Sequence, residues 1–337
     1  MRARLKKIRH WVEWLLVIMA AKIVRLLSRR VCHLLGQTIG AGAAVIDRRG
    51  RKIALSNLEA AFGDQLSPPR RAKVVRESYQ QFVRTMLDLL WSPRMNSENF
   101  REWYELVNFD EVIADIGPGR SIIFITFHYG NFEWAAQTLG LRGCRAITVA
   151  QEFKNPLLEP IFNQLRTYSG NEVAPRQGGL LRMYKALKRG KHVAVLTDLT
   201  LKPWDPSVAI DCFGLKKCVT YAHAWLHQRT GAPIVPAHCE PLPDGRYRLE
   251  VQPKIEFPKG ASIVEITQAC WDRLEPIVRT NPSPWIWMYK HWRYRLAGSA
   301  KPYPFYAQGH RGFERRLNAA MARLKQAGAE LERPAIE

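Results

Sequence analysis

From about residue 105 the chain repeats one pattern. An apolar run of five to seven residues gives way to a longer amphipathic stretch, with the runs at Ser121 to Phe127, Ala146 to Ala150, His192 to Thr197, Pro233 to His238 and Tyr247 to Val251. A short continuous apolar run is the pattern of a strand covered on both faces, and the amphipathic segment after it supplies a covering helix. The expected class is therefore α/β, with a mixed, largely parallel sheet flanked by helices. Asp244-Gly245, between the last two runs, is a hairpin dipeptide and predicts an antiparallel pair at the sheet edge. With 337 residues, 47% of them hydrophobic, the chain can bury the core such a sheet needs.

The residues before this pattern differ in character. Residues 1–52 carry 13 Lys and Arg against Glu13 and Asp47, a net +11 out of +21 for the chain. Within them Trp11, Trp14 to Met19, Ile23, Val24, Leu26 and Leu27 form an apolar segment interrupted by Lys22 and Arg25; its longest unbroken run, Trp14 to Ala21, has eight residues. A spanning helix needs about 20 apolar residues. The segment reads better as a helix lying in a membrane interface, with tryptophans at headgroup depth and basic side chains on phosphates. A signal peptide and a helix packed on its own domain are the competing readings. The charge points to polyanionic partners, and no zinc-finger, RRM or bZIP pattern accompanies it, so no nucleic-acid role is expected. Helical periodicity continues through residues 53–95, broken at Ser67-Pro68-Pro69. The expected organisation is a membrane-associating helix over 1–35, a catalytic domain over 36–298 with a helical lead-in at 36–100, and a helical tail over 299–337 whose helix runs from about Gly312 to Leu331.

Six cysteines are scattered without a CxxC pair, which suits reduced thiols in a cytosolic environment. There is no G-x-S-x-G elbow, Walker A loop or G-x-G-x-x-G turn. His223 and His227 have the i, i+4 spacing of a helical metal site but lack the H-E-x-x-H glutamate and a third ligand, so a packed helix face is expected and neither metal nor cofactor is assigned.

The stretch that carries chemistry is Ser121-Ile-Ile-Phe-Ile-Thr-Phe-His128-Tyr-Gly130-Asn131-Phe-Glu133. An apolar strand ends at His128, a Gly130-Asn131 turn follows, and a helix begins with Glu133 in its first turn. Ligands of open α/β folds bind at this carboxyl end of the strands. A carboxylate on one imidazole nitrogen fixes the tautomer and supports the charge that forms when the other nitrogen takes a proton, so His128 and Glu133 are expected to touch and to act as a general-base pair. With no nucleophilic Ser or Cys motif beside it, the proton would come from a substrate hydroxyl that attacks an acyl thioester directly, the oxyanion held by helix-start N–H groups or a nearby Arg. The plainer alternative is a structural histidine capped by a first-turn glutamate, in a non-catalytic basic membrane-binding protein.

His128-Tyr-Gly-Asn-Phe-Glu133 resembles the H-(F/Y)-G-N-(W/F)-E block of the late, or secondary, acyltransferases of lipid A biosynthesis, within the wider H-x4-(D/E) glycerolipid acyltransferase group. Further blocks follow in order over residues 50–295: Arg166 with Gly170 and Pro175-Arg176; Asp198 after a strand; Phe213-Gly214, Thr220 and Thr230-Gly231-Ala232; and Trp287 to Arg293, like the closing W-x-H-R-R-W-K motif. Leu199 stands where the family usually has Gln, and Tyr289, Lys290 and His291 replace much of its H-R-R. The resemblance implies an O-acyltransferase with His128 and Glu133 catalytic, and with Arg166, Arg176, Asp198, Gly130, Asn131 and Thr220 contacting substrate. It further implies acyl carrier protein or coenzyme A as donor, a lipid A precursor or other anionic glycolipid as acceptor, and a place on the cytoplasmic face of the inner membrane. Phospholipid, ornithine lipid and mannolipid acceptors remain open. Plainer readings stand beside these roles: Asp198 as a turn cap, Arg166 as a solvated helix charge, and Trp285, Trp287 and Trp292 as core.

Overall fold

A computed structural model describes residues 2–202 and 204–314. The expected apolar runs are strands β2 (Ile123–Thr126), β3 (Ala146–Ala150), β5 (His192–Leu196), β8 (Ile234–Pro241) and β9 (Tyr247–Val251), joined by β1 (Tyr104–Val107) and β4 (Glu172–Pro175) in one seven-stranded sheet. The order is β1-β9-β8-β2-β5-β3-β4. Every pairing is parallel except β8 with β9. That antiparallel pair is the hairpin expected at Asp244-Gly245, but it is not the edge, because β1 lies outside β9.

The central strands β2 and β5 and the first half of β8 are largely apolar because both faces are covered. Phe124, Ala194 and Val235 point to a layer that holds Trp91, Trp134 and Leu139, while Ile123, Ile125, Val193, Val195 and Ile234 point to the opposite layer with Met183, Leu187, Leu226 and Ile266. The alternation is the two-residue period of a strand. The covering helices include α5 (Phe109–Ile116), α6 (Phe132–Leu141), α7 (Glu159–Thr167), α8 (Gly179–Lys188), α9 (Ala222–Thr230) and α10 (Ile263–Thr280). A separate hairpin of β6 (Ser207–Cys212) and β7 (Leu215–Thr220) packs against α10 and, with a cluster of tryptophans, forms a third core.

The amino-terminal region is four helices. α1 (Arg2–Leu26), α2 (Arg29–Ile46), α3 (Arg48–Phe62) and α4 (Pro68–Trp91) follow one another, with Ser28, Asp47 and Ser67 at the junctions. The first helix therefore stops at Leu26 and does not reach residue 35, since the Ser28 hydroxyl accepts the Val31 N–H and starts α2. α2 lies tightly on α4: a Cβ at Gly40 would stand 2.3 Å from the backbone of Gln80. α1 buries Ala21 and Val24 but leaves Leu5, Ile8, Trp11, Leu15, Met19 and Ile23 about half exposed, a stripe at three- and four-residue spacing that faces away from the protein. No helix among the described residues is long and apolar enough to cross a membrane. After α10, two-residue strands β10 (Tyr294–Arg295) and β11 (Gln308–Gly309) pair; the helix expected from Gly312 to Leu331 lies mostly outside the described residues.

Candidate active site

The register of the central strands builds the site. β2 and β5 are parallel neighbours in which Thr126 pairs with Leu196, so two residues further on His128 and Asp198 leave the sheet side by side. The imidazole Nδ1 lies 2.8 Å from Asp198 Oδ1, and the His128 backbone N–H donates to Oδ2 at 3.2 Å. The indole Nε1–H of Trp285 completes the carboxylate, donating to Oδ2 at 2.8 Å. Asp198 is fully buried. Burial alone would push its carboxyl up, but the pairing with His128 and the positive charge of Lys217 outweigh it and hold the group well below the usual carboxylate range. An ionised acceptor fixes the tautomer: Nδ1 carries the proton, and Nε2 presents its lone pair outward from a side chain 19% exposed.

The carboxylate expected on His128 was that of Glu133, and the structure corrects this. Asn131 caps α6, its side-chain oxygen accepting the Trp134 N–H at 3.0 Å, and α6 then carries Glu133 toward α7. There Glu133 meets Arg166, which donates from Nε at 3.0 and 3.2 Å and from Nη2 at 2.5 Å. Such a two-pronged pair is far stiffer than a single contact. Nη1 of Arg166 stays outside the pair. The ring of Phe132 meets that of His128 edge-on at 4.8 Å.

The remaining candidates divide. Gly130 and Asn131 shape the turn and have no surface for a ligand. Gly130 sits at φ 55°, where an added Cβ would be 1.7 Å from the Cys239 carbonyl oxygen, and its own carbonyl accepts the Thr85 hydroxyl. Asn131 is fully buried and donates to Asp88 at 2.9 Å. Asp198, expected at the substrate, lies beneath His128 instead. Thr220 accepts the Ala222 N–H at the start of α9. Arg176, at the carboxyl end of β4, is half exposed and pairs with Asp205 at 2.9 Å. Two residues that the sequence reading passed over bear on the turn. Asp88 is buried and gathers Arg29 at 2.5 Å, the Tyr247 hydroxyl at 2.6 Å and Asn131, tying α2 and α4 to the start of α6. Lys217 lies under Trp285.

The cysteines are all buried, so none is presented beside His128 as a nucleophile. His227 Nδ1 lies 2.8 Å from the Ala232 carbonyl, while both ring nitrogens of His223 are buried without a hydrogen-bond partner. Among the described residues no three His, Cys, Asp or Glu side chains stand close enough together to hold an ion.

Fold and site thus define a parallel-sheet α/β enzyme with a histidine fixed by a buried carboxylate at the mouth of its strands. The chain belongs to the bacterial lipid A biosynthesis acyltransferase family, whose model matches residues 1–294, and it is an acyltransferase. It is 26% identical over 260 residues to phosphatidylinositol mannoside acyltransferase from Mycolicibacterium smegmatis, covering 75% of this chain and 83% of that one. It is 22% identical over 301 residues to lipid A biosynthesis myristoyltransferase from Escherichia coli, covering 88% and 91%. Among solved structures, the 1-acyl-sn-glycerophosphate acyltransferase PlsC of Thermotoga maritima is similar at a TM-score of 0.38 and 16% identity, over 75% of this chain and 99% of that one.

Proposed function

We propose that the enzyme transfers a fatty acyl chain from an acyl carrier protein or coenzyme A thioester to a hydroxyl of an anionic glycolipid, a lipid A precursor being the first candidate. The observation that carries this reading is the orientation of His128: Asp198 on Nδ1 leaves Nε2 as the one lone pair facing outward. Nε2 takes the proton of the acceptor hydroxyl as its oxygen bonds to the thioester carbonyl carbon; the tetrahedral intermediate then collapses, the C–S bond breaks, and the imidazolium returns its proton to the leaving thiolate. Asp198 stabilises the imidazolium in between. Arg166, aligned by Glu133, offers Nη1 to the oxyanion or to an acceptor phosphate. No acyl-enzyme forms on this route.

The two kinds of relative favour two acceptors. The lipid A enzymes match over more of the chain, whereas the mannoside enzyme is the more identical, so a phosphatidylinositol mannoside is the second reading. The test supplies purified protein with each acceptor and each thioester. Transfer to the lipid A precursor supports the first reading and transfer only to the mannolipid the second; a covalently acylated enzyme, seen by intact mass, would contradict the direct route.

We assign the site to a membrane surface, on the cytoplasmic face of the inner membrane, where acyl thioesters are available. In support, Asn155, in the loop after β3 at the same end of the sheet as His128, donates to the His10 carbonyl and Glu13 carboxylate of α1, both at 2.9 Å. The exposed apolar stripe of α1 and its basic neighbours therefore border the end of the sheet that bears the site.

A further inference from the structure

Lys217 of β7 has its side chain wholly inside the protein, 2% exposed. An ammonium in that position is expensive unless its surroundings compensate it. Nζ stands 3.2 Å from His291 Nδ1 and over the faces of Trp285, Trp271 and Trp292, at 5.3, 5.6 and 6.0 Å from the ring centres. The other nitrogen of His291 lies 3.1 Å from the Ile286 carbonyl, which can only accept, so Nε2 carries the hydrogen and Nδ1 is a lone pair receiving the Lys217 proton. Burial, then the Lys217 charge, keep His291 well below its ordinary pKa, which agrees with a neutral ring. That ring stacks on Trp285 at 3.8 Å, and the Trp285 indole N–H donates to Asp198.

A continuous path thus leads from Lys217 through His291 and Trp285 to Asp198 and His128. Burial pulls Lys217 below its usual pKa; Cys212, Asp198 and Glu275 oppose that pull, and Nζ meets His291. Of these, burial pushes the Cys212 thiol up to about 12, and Glu275 is already held by Arg279 at 2.6 Å and by the Trp271 indole at 2.7 Å. His291 is neutral. Asp198 and Glu275 are the carboxylates whose charge the ammonium answers, and Asp198 is the one that touches His128.

We infer that Lys217 is a positioning residue for acyl transfer: its buried ammonium balances the Asp198 carboxylate, keeps it ionised, and so keeps His128 in the tautomer with Nε2 free. The inference rests on the proposed general-base role of His128. A lysine that only filled space would be replaceable by methionine without consequence for proton transfer.

The experiment compares Lys217→Met and His128→Ala with wild type, reading kcat, KM and the pH–kcat profile. Lys217→Met is expected to keep KM within about twofold, to lose roughly tenfold or more in kcat, and to move the acidic limb upward by about half a pH unit, because loss of a nearby cation makes a proton on the pair easier to hold. An unshifted limb and unchanged kcat, with His128→Ala inactive, would overturn this inference alone. An active, folded His128→Ala would remove the general-base reading and this inference with it. If Lys217→Met does not fold, wild-type enzyme labelled with 15N at lysine Nζ decides: an ammonium signal in contact with indole protons at neutral pH supports the inference, and an amine signal overturns it.

Discussion

Asp198→Asn separates a base-orienting carboxylate from a merely buried one. The substitution keeps the shape, so the outcome turns on which way the amide sits. Oδ2 of Asp198 accepts two donors, the His128 backbone N–H and the Trp285 indole, while Oδ1 faces His128 Nδ1. If the amide nitrogen took the Oδ2 place it would strand both donors in a buried site, at about 1–3 kcal/mol each. If it took the Oδ1 place, both donors to Oδ2 would be kept, but Nδ1 would have to accept and the proton would move to Nε2. Two or more kcal/mol favours the second arrangement roughly thirtyfold or better. His128 is then folded, hydrogen-bonded and in the wrong tautomer, and kcat should fall on the order of 10³–10⁴-fold, as expected when a base loses its orienting carboxylate. The assay is steady-state transfer from a thioester donor at saturating acceptor, with thermal unfolding alongside. Asp198→Asn should fold but melt below wild type, because it removes a charge that compensates buried Lys217, and it should be no more active than the less well packed Asp198→Ala. An Asn variant within a few-fold of wild type would refute the reasoning.

Four further outcomes follow from the same geometry. Arg166→Lys should lose about 10- to 100-fold in kcat without destabilising the fold, since an ammonium cannot reproduce the two-pronged hold on Glu133; wild-type rates would show that the fork is unused. Gly130→Ala should yield little folded enzyme, because a Cβ at 1.7 Å from the Cys239 carbonyl oxygen, at φ 55°, costs about 3 kcal/mol or more; a soluble variant with a native melting curve would contradict this. His223 is held down to about 3 by burial, below its unfolded value near 6.5, so folding resists its protonation and stability should fall as pH drops from about 6.5 toward 3, by up to about 1.4 kcal/mol per pH unit. His223→Phe should flatten that slope in urea titrations at several pH values, and parallel slopes would exclude the assignment. Trp11→Asp with Leu15→Asp should abolish co-flotation with anionic vesicles while leaving the catalytic domain folded; unchanged flotation would place the membrane contact elsewhere.

Of the strands legible in the sequence, β2, β3, β5 and β8 begin as short runs with few charges, and β9 alternates buried Tyr247, Leu249 and Val251 with Arg248 and Glu250. β1 and β4 were not legible, because as outer strands they carry Glu105 and Glu172 on faces the core does not demand. The β6–β7 hairpin escaped for a sharper reason: its two-residue turn is Phe213-Gly214, with φ of 55° and 75°, and phenylalanine is a poor residue for a left-handed conformation. At the site, His128 could be found from its motif and strand end, and Asp198 from its own strand end. Their contact could not, because it depends on the pairing of β2 with β5, which lie some 70 residues apart in the chain. Spacing suggested Glu133 for His128; the Asn131 cap turns it to Arg166. Lys217 carries no motif, and His291 stood out only as a departure from the closing motif, until folding placed both beside Trp285.

The central claim is that His128 removes the proton from the acceptor hydroxyl, and the rate of acyl transfer by purified, folded His128→Ala tests it most directly. The account predicts a loss of roughly 10²–10⁴-fold in kcat with little change in thioester binding. Transfer by that variant at a rate near wild type would contradict it.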